Sequence, residues 1–417
     1  MNALIKSATI LDRKSDFNNT VQDILIEKGI ITKIAPSIKN TDNYPLVSFE
    51  NLHVSQGWFD SSVCFGEPGY EDRETIKNGL IVAAKSGFTS ILLQPNTHPV
   101  TDNKSAIAFS KSESKHSPTL LFPSGSLTKN SEGHELAELY DMFSEGGAAF
   151  GDYKKQIKNP NVLKIALQYA SNFGGLLQSF PIDENISKSG VMNENITSTI
   201  LGLKGIPEIA EHIQISRDLE ILEYTDGKLH IPTISTSKSV ELIRHAKSKG
   251  LDVTCSVAIH NIILKDDDIK NYNTNFKVNP PLRTQNSIEA LINGLNDGTV
   301  DMVTSDHCPL SVEDKKVEFD CAEFGTIGLE SAFGVLNSIF STKKTIDMLT
   351  KGKSRFGVNI NTINVGNICD ITLFNPKGNY IFCEEHILST SKNSIFLGKK
   401  LKGNVYGAIA NNQIELT

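Results

Sequence analysis

The stretch NGLIVAAKSGFTSILLQPNT, residues 78–97, indicates the fold of this chain. Residues 78–87 space their apolar side chains at helical intervals and end on a glycine. Residues 88–97 form an apolar run that closes in a polar loop, which is typical of a buried strand. A helix followed directly by a buried strand is the repeating unit of a parallel sheet.

The same alternation continues along the chain after this stretch. Residues 239–250 and 287–298 have helical spacing, and residues 251–260 and 300–307 read as the strands that follow them. Strands that alternate with helices imply parallel strands joined by right-handed crossovers. We therefore predict an α/β fold in which residues 55–354 form a (β/α)8 TIM barrel with insertions.

The two ends of the chain follow a different rhythm. Residues 3–11 and 23–36 alternate apolar and polar side chains, and Lys28-Gly29 provides a hairpin turn. Residues 361–376 and 401–416 again read as strands and hairpins. We predict that residues 1–54 and 355–417 fold together into one composite β-sandwich domain beside the barrel.

Composition narrows the class of protein. The 417 residues are 39% hydrophobic and 21% charged, which is ordinary for a soluble globular protein. The formal net charge of -7 argues against a nucleic-acid partner. No two of the six cysteines are spaced C-x-x-C, so zinc knuckles and thioredoxin motifs are absent. Without a signal peptide or an apolar run long enough for a membrane, we expect a soluble cytoplasmic protein.

Candidate functional residues lie at the carboxyl ends of the barrel strands, where barrel enzymes place their chemistry. In chain order they are Asp60, Ser62, Cys64, Asn96, Asp152, Gln178, Ser179, His230, Thr233, His260, Asn261, Asn279, Arg283, Asp306, His307 and Cys308. Most residues of these types simply satisfy backbone groups; His230 has apolar neighbours and reads as a core histidine. Asp306 is different, because a carboxylate that ends an apolar strand must be charge-paired, hydrogen-bonded or functional.

Several motifs, taken in order, resemble one family. They are GWFDSSVCFGEPGYEDRETIKNG (57–79), LLQPNTHPVTDN (92–103), GVMNENITSTILGLKGIP (190–207), IQISRDLEIL (213–222), VNPPLR (278–283), VTSDHCPL (303–310), GTIGLESAF (325–333), NVGNICDITLFNP (364–376) and SIFLGKKLKGNV (394–405). Together they look like the dihydroorotase family of the amidohydrolase superfamily. The resemblance runs through nearly the whole chain, and it implies a metal-dependent barrel with a composite β-domain.

The resemblance also implies a chemistry. Family members hydrolyse or close the ring of dihydroorotate in pyrimidine synthesis at a centre of one or two zinc ions. The metal polarises the ring carbonyl and supplies hydroxide, and an aspartate shuttles the proton. The family's ligands are an H-x-H pair, a bridging carboxylated lysine or aspartate, two further histidines and a final aspartate.

Carried over position by position, this ligand set is mostly missing. The H-x-H pair falls on Ser62 and Cys64, the next histidine on Gln178 or Ser179, and the last on Thr233. The carboxylates are kept, with Asp152 at the bridging position and Asp306 at the proton-shuttle position. Of the substrate contacts, an arginine falls on Gly66 and a histidine on Leu310, whereas Asn96, Asn279, Phe324 and Gly325 are retained.

Two carboxylates and one thiolate do not make a zinc site, so we expect no metal cofactor. A substitute site built from Cys64, Asp152, Asp306 and His307 is the alternative that would bring zinc back. The resemblance then suggests a non-catalytic pseudoenzyme, because some bacterial dihydroorotase-like chains scaffold aspartate carbamoyltransferase, an earlier enzyme of the pathway.

Two rival functions stay open at this point. One is a working dihydroorotase that uses replacement ligands or is completed by a partner chain. The other is a protein whose pocket binds some other small molecule. In each case we expect a homo-oligomer, a dimer being the simplest, with no nucleic-acid or membrane partner.

Overall fold

The computed structural model describes all residues from Met1 to Thr417. The first five strands are β1 (Ala3–Ile10), β2 (Val21–Glu27), β3 (Ile30–Ala35), β4 (Leu46–Val47) and β5 (His53–Gln56). The predicted hairpin turn is confirmed, because Glu27 pairs with Ile30 and both turn residues have positive φ, 53° at Lys28 and 76° at Gly29. Positive φ at both central residues is the signature of a tight turn that matches the strand twist.

Ten further strands follow, and eight of them build the barrel. They are β6 (Trp58–Val63), β7 (Phe88–Leu93), β8 (Leu120–Gly125), β9 (Ala149–Phe150), β10 (Leu177–Gln178), β11 (Met192–Asn193), β12 (Gly205–Ile206), β13 (Leu229–Ile231), β14 (Val253–Ala258) and β15 (Met302–Thr304). All but β11 and β12, which pair with each other, form one sheet in sequence order. A parallel bridge between Val63 and His307 joins the last strand to the first. The predicted (β/α)8 barrel is thereby confirmed.

Twelve α-helices accompany these strands. They are α1 (Ile76–Lys85), α2 (Lys104–Glu113), α3 (Leu139–Glu145), α4 (Pro160–Ser171), α5 (Glu184–Ser187), α6 (Ile196–Leu201), α7 (Ile209–Thr225), α8 (Ser237–Ser248), α9 (Gln285–Asp297), α10 (Val312–Lys315), α11 (Leu329–Ile339) and α12 (Thr342–Thr350). None of them combines the length and the apolar character that crossing a bilayer requires.

Both ends of the chain contribute to a second sheet. The last strands, β16 (Ile371–Ile381), β17 (Lys400–Ala410) and β18 (Gln413–Leu416), join the first five in the order β18-β17-β16-β5-β1-β2-β3, with β4 on β1. Strand β5 pairs with β16 in antiparallel fashion and with β1 in parallel, so it links the two chain ends. The eight strands thus form one continuous hydrogen-bonded sheet, called the terminal sheet below.

Trp58 holds the barrel against the terminal sheet. Its fully buried ring stacks on Phe333 of α11 at a centroid distance of 4.9 Å and lies 5.6 Å from Phe374 of β16. Gly87, in the turn before β7, has a φ of +90°, and a Cβ there would lie 2.8 Å from the Trp58 ring and 2.6 Å from Thr372. The close approach of these three segments therefore requires a glycine.

We expect Gly87→Ala to destabilise the protein by about 2–4 kcal/mol, because backbone strain and overpacking add. The matched control is Gly202→Ala, where φ is +67° but no atom lies within 4 Å of the added Cβ. Urea unfolding followed by the fluorescence of the single tryptophan measures both. Equal losses in the two variants would contradict the packing argument.

Candidate functional site

The carboxyl ends of the barrel strands enclose a small central cavity. Its volume is about 20 Å³, close to the minimum of about 10–15 Å³ that one water molecule needs. The lining residues are Ser62, Gln94, Gly151, Asp152, Tyr153, Lys154, Gln178, Phe180, Pro232, Thr233 and Asp306. The structure therefore brings five of the sequence-predicted positions together: Ser62, Asp152, Gln178, Thr233 and Asp306.

A lysine that the sequence analysis passed over lies in the middle of this site. The Nζ atom of Lys154 is 2.8 Å from Oδ2 of Asp306, and the two side chains are only 12% and 1% exposed. Burial alone would lower the pKa of Lys154, but Asp306, together with Cys308 and Cys64, outweighs burial, so the pKa is raised. The ammonium group is therefore charged at neutral pH.

Asp306 is charge-paired, which answers the question that its position in the sequence raised. Besides Lys154, it accepts a hydrogen bond from the hydroxyl of Ser62 at 3.3 Å. Burial raises the pKa of Asp306, and Lys154 and Ser62 offset part of that rise. Its carboxylate is held by two neighbours instead of facing an open pocket.

Both carboxylate oxygens of Asp152 also accept hydrogen bonds. Its Oδ1 accepts from the Ser126 hydroxyl at 2.6 Å and from the backbone N–H of Thr128 at 3.0 Å. Its Oδ2 accepts from the Thr128 hydroxyl at 2.5 Å. These bonds tie the carboxylate at the predicted bridging position to the loop after β8 and use three of its roughly four acceptor sites.

The structure shows which of the two candidate residues at the end of β10, Gln178 or Ser179, faces the cavity. Gln178 lines the cavity and accepts a hydrogen bond from Ser124 at 3.1 Å. Ser179 faces the other way and donates to buried Asp218 at 2.6 Å. Phe180, which the sequence analysis did not consider, also lines the cavity. Neither of the two predicted positions therefore replaces an imidazole with another metal ligand of comparable strength.

Cys64 and Cys308 belong to a buried thiol cluster. They pack with Leu310 and the ring of Tyr153, and both cysteines are free thiols. Burial raises the pKa of Cys64 well above its usual range. The neighbouring Cys64 thiol lowers the pKa of Cys308. The two thiols pack against each other, and the cluster forms part of the packing between the first and last barrel strands.

The histidines of the barrel lie outside the cavity. His230 is fully buried, bonds Thr254 at 3.0 Å, and has its pKa lowered to about 3 by burial. His260 is equally buried, and burial also lowers its pKa to about 3. His307 turns away, accepting from the backbone N–H of Gly328 at 3.2 Å. No imidazole is among the residues that line the cavity.

The predicted substrate contacts are not gathered at the cavity. Asn96 and Asn279 each have a buried side-chain oxygen without a hydrogen-bond partner, yet neither residue lines it. Phe324 lies under Lys277, whose Nζ is 4.8 Å from the ring centroid. Gly325 contacts the thiol cluster instead, since a Cβ there would be 3.0 Å from the Cys308 sulfur.

Gly66 and Leu310, the positions at which the resemblance predicts an arginine and a histidine, are closed by packing. A Cβ at Gly66 would lie 1.7 Å from the backbone oxygen of Tyr70, so no arginine fits on this backbone. Leu310 is 4% exposed and packs on the two cysteines. Both positions lack the positive charge that would hold a carboxylate.

The backbone around the cavity is strained. Lys154, Thr233 and Asp306 have φ values of 51°, 47° and 52°, in the left-handed region that is unfavourable for residues with a side chain. Such residues cluster at functional sites, where the surrounding structure enforces them. The cavity therefore has the kind of backbone strain that is common at functional sites.

These residues do not fit a zinc centre. Zinc in proteins takes imidazole, thiolate or carboxylate ligands, and the cavity offers hydroxyls, amides and two engaged carboxylates. The cation beside Asp306 is a lysine ammonium. No group of three or more His, Cys, Asp and Glu residues is placed to hold a metal ion.

Comparison with known proteins agrees with this architecture. The Dihydro-orotase-like family model matches residues 53–239. Among solved structures, an L-hydantoinase (dihydropyrimidinase) from Arthrobacter aurescens superposes with a TM-score of 0.85 at 20% identity, covering 99% of this chain and 95% of that one. A dihydropyrimidinase from Brevibacillus agri gives a TM-score of 0.82 at 20% identity over the same shares of the two chains. The fold is that of the amidohydrolase barrels.

Sequence relatives narrow the class further. A dihydroorotase from Acetivibrio thermocellus is 38% identical over 419 residues, covering 99% of this chain and 98% of the relative. A dihydroorotase from Pelotomaculum thermopropionicum is 37% identical over 421 residues, with the same coverage. The chain belongs to the dihydroorotase family.

The ion pair at the cavity predicts a double-mutant result. Lys154→Met should cost about 3–5 kcal/mol of stability, because it leaves Asp306 buried without a countercharge. Adding Asp306→Asn should recover most of that loss, since the buried charge is then gone. Urea unfolding gives the two values.

The control is the exposed pair Lys158–Glu184, which has the same 2.8 Å separation. Lys158→Met there should change stability little, because water screens exposed pairs. A small loss for Lys154→Met, or no recovery in the double variant, would contradict a buried ion pair.

Proposed function

We propose that this chain is a dihydroorotase-like protein of pyrimidine biosynthesis that does not catalyse the family's reaction and instead serves as a scaffold or regulatory partner of aspartate carbamoyltransferase. The observation that carries the proposal is the Lys154–Asp306 ion pair. In this pair, the carboxylate at the predicted proton-shuttle position is bound to a cation that belongs to the chain itself.

Two features of the cavity oppose catalysis. A general base must be within hydrogen-bond reach of the proton it takes, and Asp306 is committed to Lys154 and Ser62. The cavity of about 20 Å³ is also far below the roughly 300–1,000 Å³ of small-molecule pockets. A dihydroorotate ring does not fit unless Lys154 and its loop move.

A surface on the outer helices supports a partner role. Ile196 and Ile200 of α6 are each 78% exposed, and Ile209 and Ile213 of α7 are 51% and 44% exposed. Both pairs are spaced i, i+4, so each places two apolar side chains on one helix face. The segment ITSTIL of α6 carries no charge. Exposed apolar pairs on a helix face are one feature of protein–protein contacts.

The rival enzyme function has one argument in its favour. Relatives at 35–38% identity carry the name dihydroorotase. In a complex, a partner chain that displaced Lys154 from Asp306 would open the cavity and free the carboxylate. Zinc content and turnover, measured with and without the partner, separate this possibility from the non-catalytic function.

We expect the purified protein to hold far less than one zinc per chain after dialysis against a mild chelator, and to show no dihydroorotate turnover. The reason is that the cavity supplies no imidazole and no free carboxylate. Elemental analysis and a turnover assay measure the two quantities. Stoichiometric zinc, or activity abolished by Asp306→Ala, would show that the site works.

We also expect co-elution with the aspartate carbamoyltransferase of the same organism in size-exclusion chromatography with light scattering. Ile196→Asp with Ile200→Asp should weaken the complex, because charges would enter its apolar contact. The control is Ile368→Asp with Ile381→Asp, two residues that are 60% and 62% exposed elsewhere on the surface. Separate elution of the wild-type proteins at micromolar concentration would refute the scaffold function.

A further inference from the structure

A second, much larger cleft lies at the other end of the barrel. Its volume is about 770 Å³. The loop after β1 lies on one side of the cleft, and the barrel with α12 lies on the other. Gln56, just before β6, and Asp297, just before β15, both line it. The cleft is therefore at the amino ends of the barrel strands, whereas the candidate site described above is at their carboxyl ends.

The lining of this cleft carries an excess of positive charge, opposite in sign to the net charge of the whole chain. The chain as a whole has 48 acidic and 41 basic residues. The cleft is lined by five basic residues, Arg13, Lys14, Lys343, Lys344 and Lys351, and three acidic ones, Asp12, Asp297 and Asp347. Only four of its 18 lining residues are hydrophobic. A local excess of positive charge in an acidic protein attracts anions.

The three carboxylates are already engaged. Asp12 accepts from the side chain of Gln56 at 2.8 Å and from the backbone N–H of Ile363 at 2.9 Å. Asp347 pairs with Arg13 at 2.6 Å, and Asp297 pairs with Arg244 at 2.8 Å. The charges of Asp347 and Asp297 are thus offset by arginines, whereas Asp12 is held by neutral donors.

Three of the cations have no such partner. Lys344 donates to the backbone oxygen of Leu295 at 2.7 Å. Lys14, Lys343 and Lys351, by contrast, are exposed, and their ammonium groups form neither an ion pair nor a hydrogen bond with the protein. Three free ammonium groups on two sides of one cleft provide the charge for a ligand with several negative charges.

We propose that this cleft binds a small organic polyphosphate of nucleotide size. The volume lies within the range of about 300–1,000 Å³ for small-molecule sites, which also favour domain boundaries. Lysine ammonium groups bind phosphate as point charges, and Leu11, Ile346 and Ile360 provide an apolar surface for the organic part. The inference is independent of the function proposed above, because the two sites share no residue.

The test is calorimetry on the full-length protein with two probes, ATP without divalent metal and inorganic tripolyphosphate. Both should bind at low ionic strength and weaken as salt is raised, and ATP should bind more tightly because of its organic part. Lys14→Ala, Lys343→Ala and Lys351→Ala combined should weaken ATP binding at least about tenfold. Circular dichroism of the triple variant should show an unchanged fold, since the three side chains contact no other residue through their charges.

The matched control removes the same charge elsewhere, at the exposed residues Lys33, Lys39 and Lys115. This control should bind ATP as the wild type does. The proposal is overturned if neither probe shows saturable binding up to about 1 mM, or if both triple variants lose affinity equally. Equal affinities for ATP and tripolyphosphate would overturn the role of the organic part.

Discussion

The ion pair between Lys154 and Asp306 determines what the centre of this barrel can do. A buried carboxylate is costly unless a countercharge accompanies it. In a metal-dependent barrel, bound cations supply that countercharge. Here a lysine two residues after Asp152 supplies it, at 2.8 Å and almost without solvent contact. The tethered cation stabilises the carboxylate whether or not any ligand is present, but it occupies the space and the charge that a substrate and its metal would need.

The closure of the barrel does not depend on the Lys154–Asp306 ion pair. Asp60, on the first strand, accepts hydrogen bonds from the backbone N–H of Ser305 at 2.8 Å and from the hydroxyl of Thr304 at the end of the last strand. Its burial raises its pKa, and these donors offset part of the rise. Together with the bridge between Val63 and His307, these bonds close the barrel. Neither Asp60 nor Thr304 lines the cavity, so the closure does not depend on the side chains of the candidate site.

Much of the architecture was predictable because it depends on local patterns. The hairpin at Lys28-Gly29, the helix near residues 78–87 and the alternation of strands and helices all follow from periodicity and turn chemistry. The site was only partly predictable. Lys154 and Asp306 are separated by 152 positions in the sequence, and no local pattern pairs them. Ser179 and Gln178 differ by one position, which at a strand end decides the face on which a side chain lies.

The packing at two predicted substrate positions links the proposed lack of catalysis to the proposed partner role. At Gly66 the backbone of Tyr70 fills the space of an arginine side chain, and Leu310 extends the thiol cluster of Cys64 and Cys308. Both positions are closely packed, so neither offers space or positive charge for a ligand. Under the proposed non-catalytic function, the role of the chain depends on its surface. The exposed isoleucines of α6 and the cationic cleft at the opposite end of the barrel are the surface features to which the two proposals assign that role.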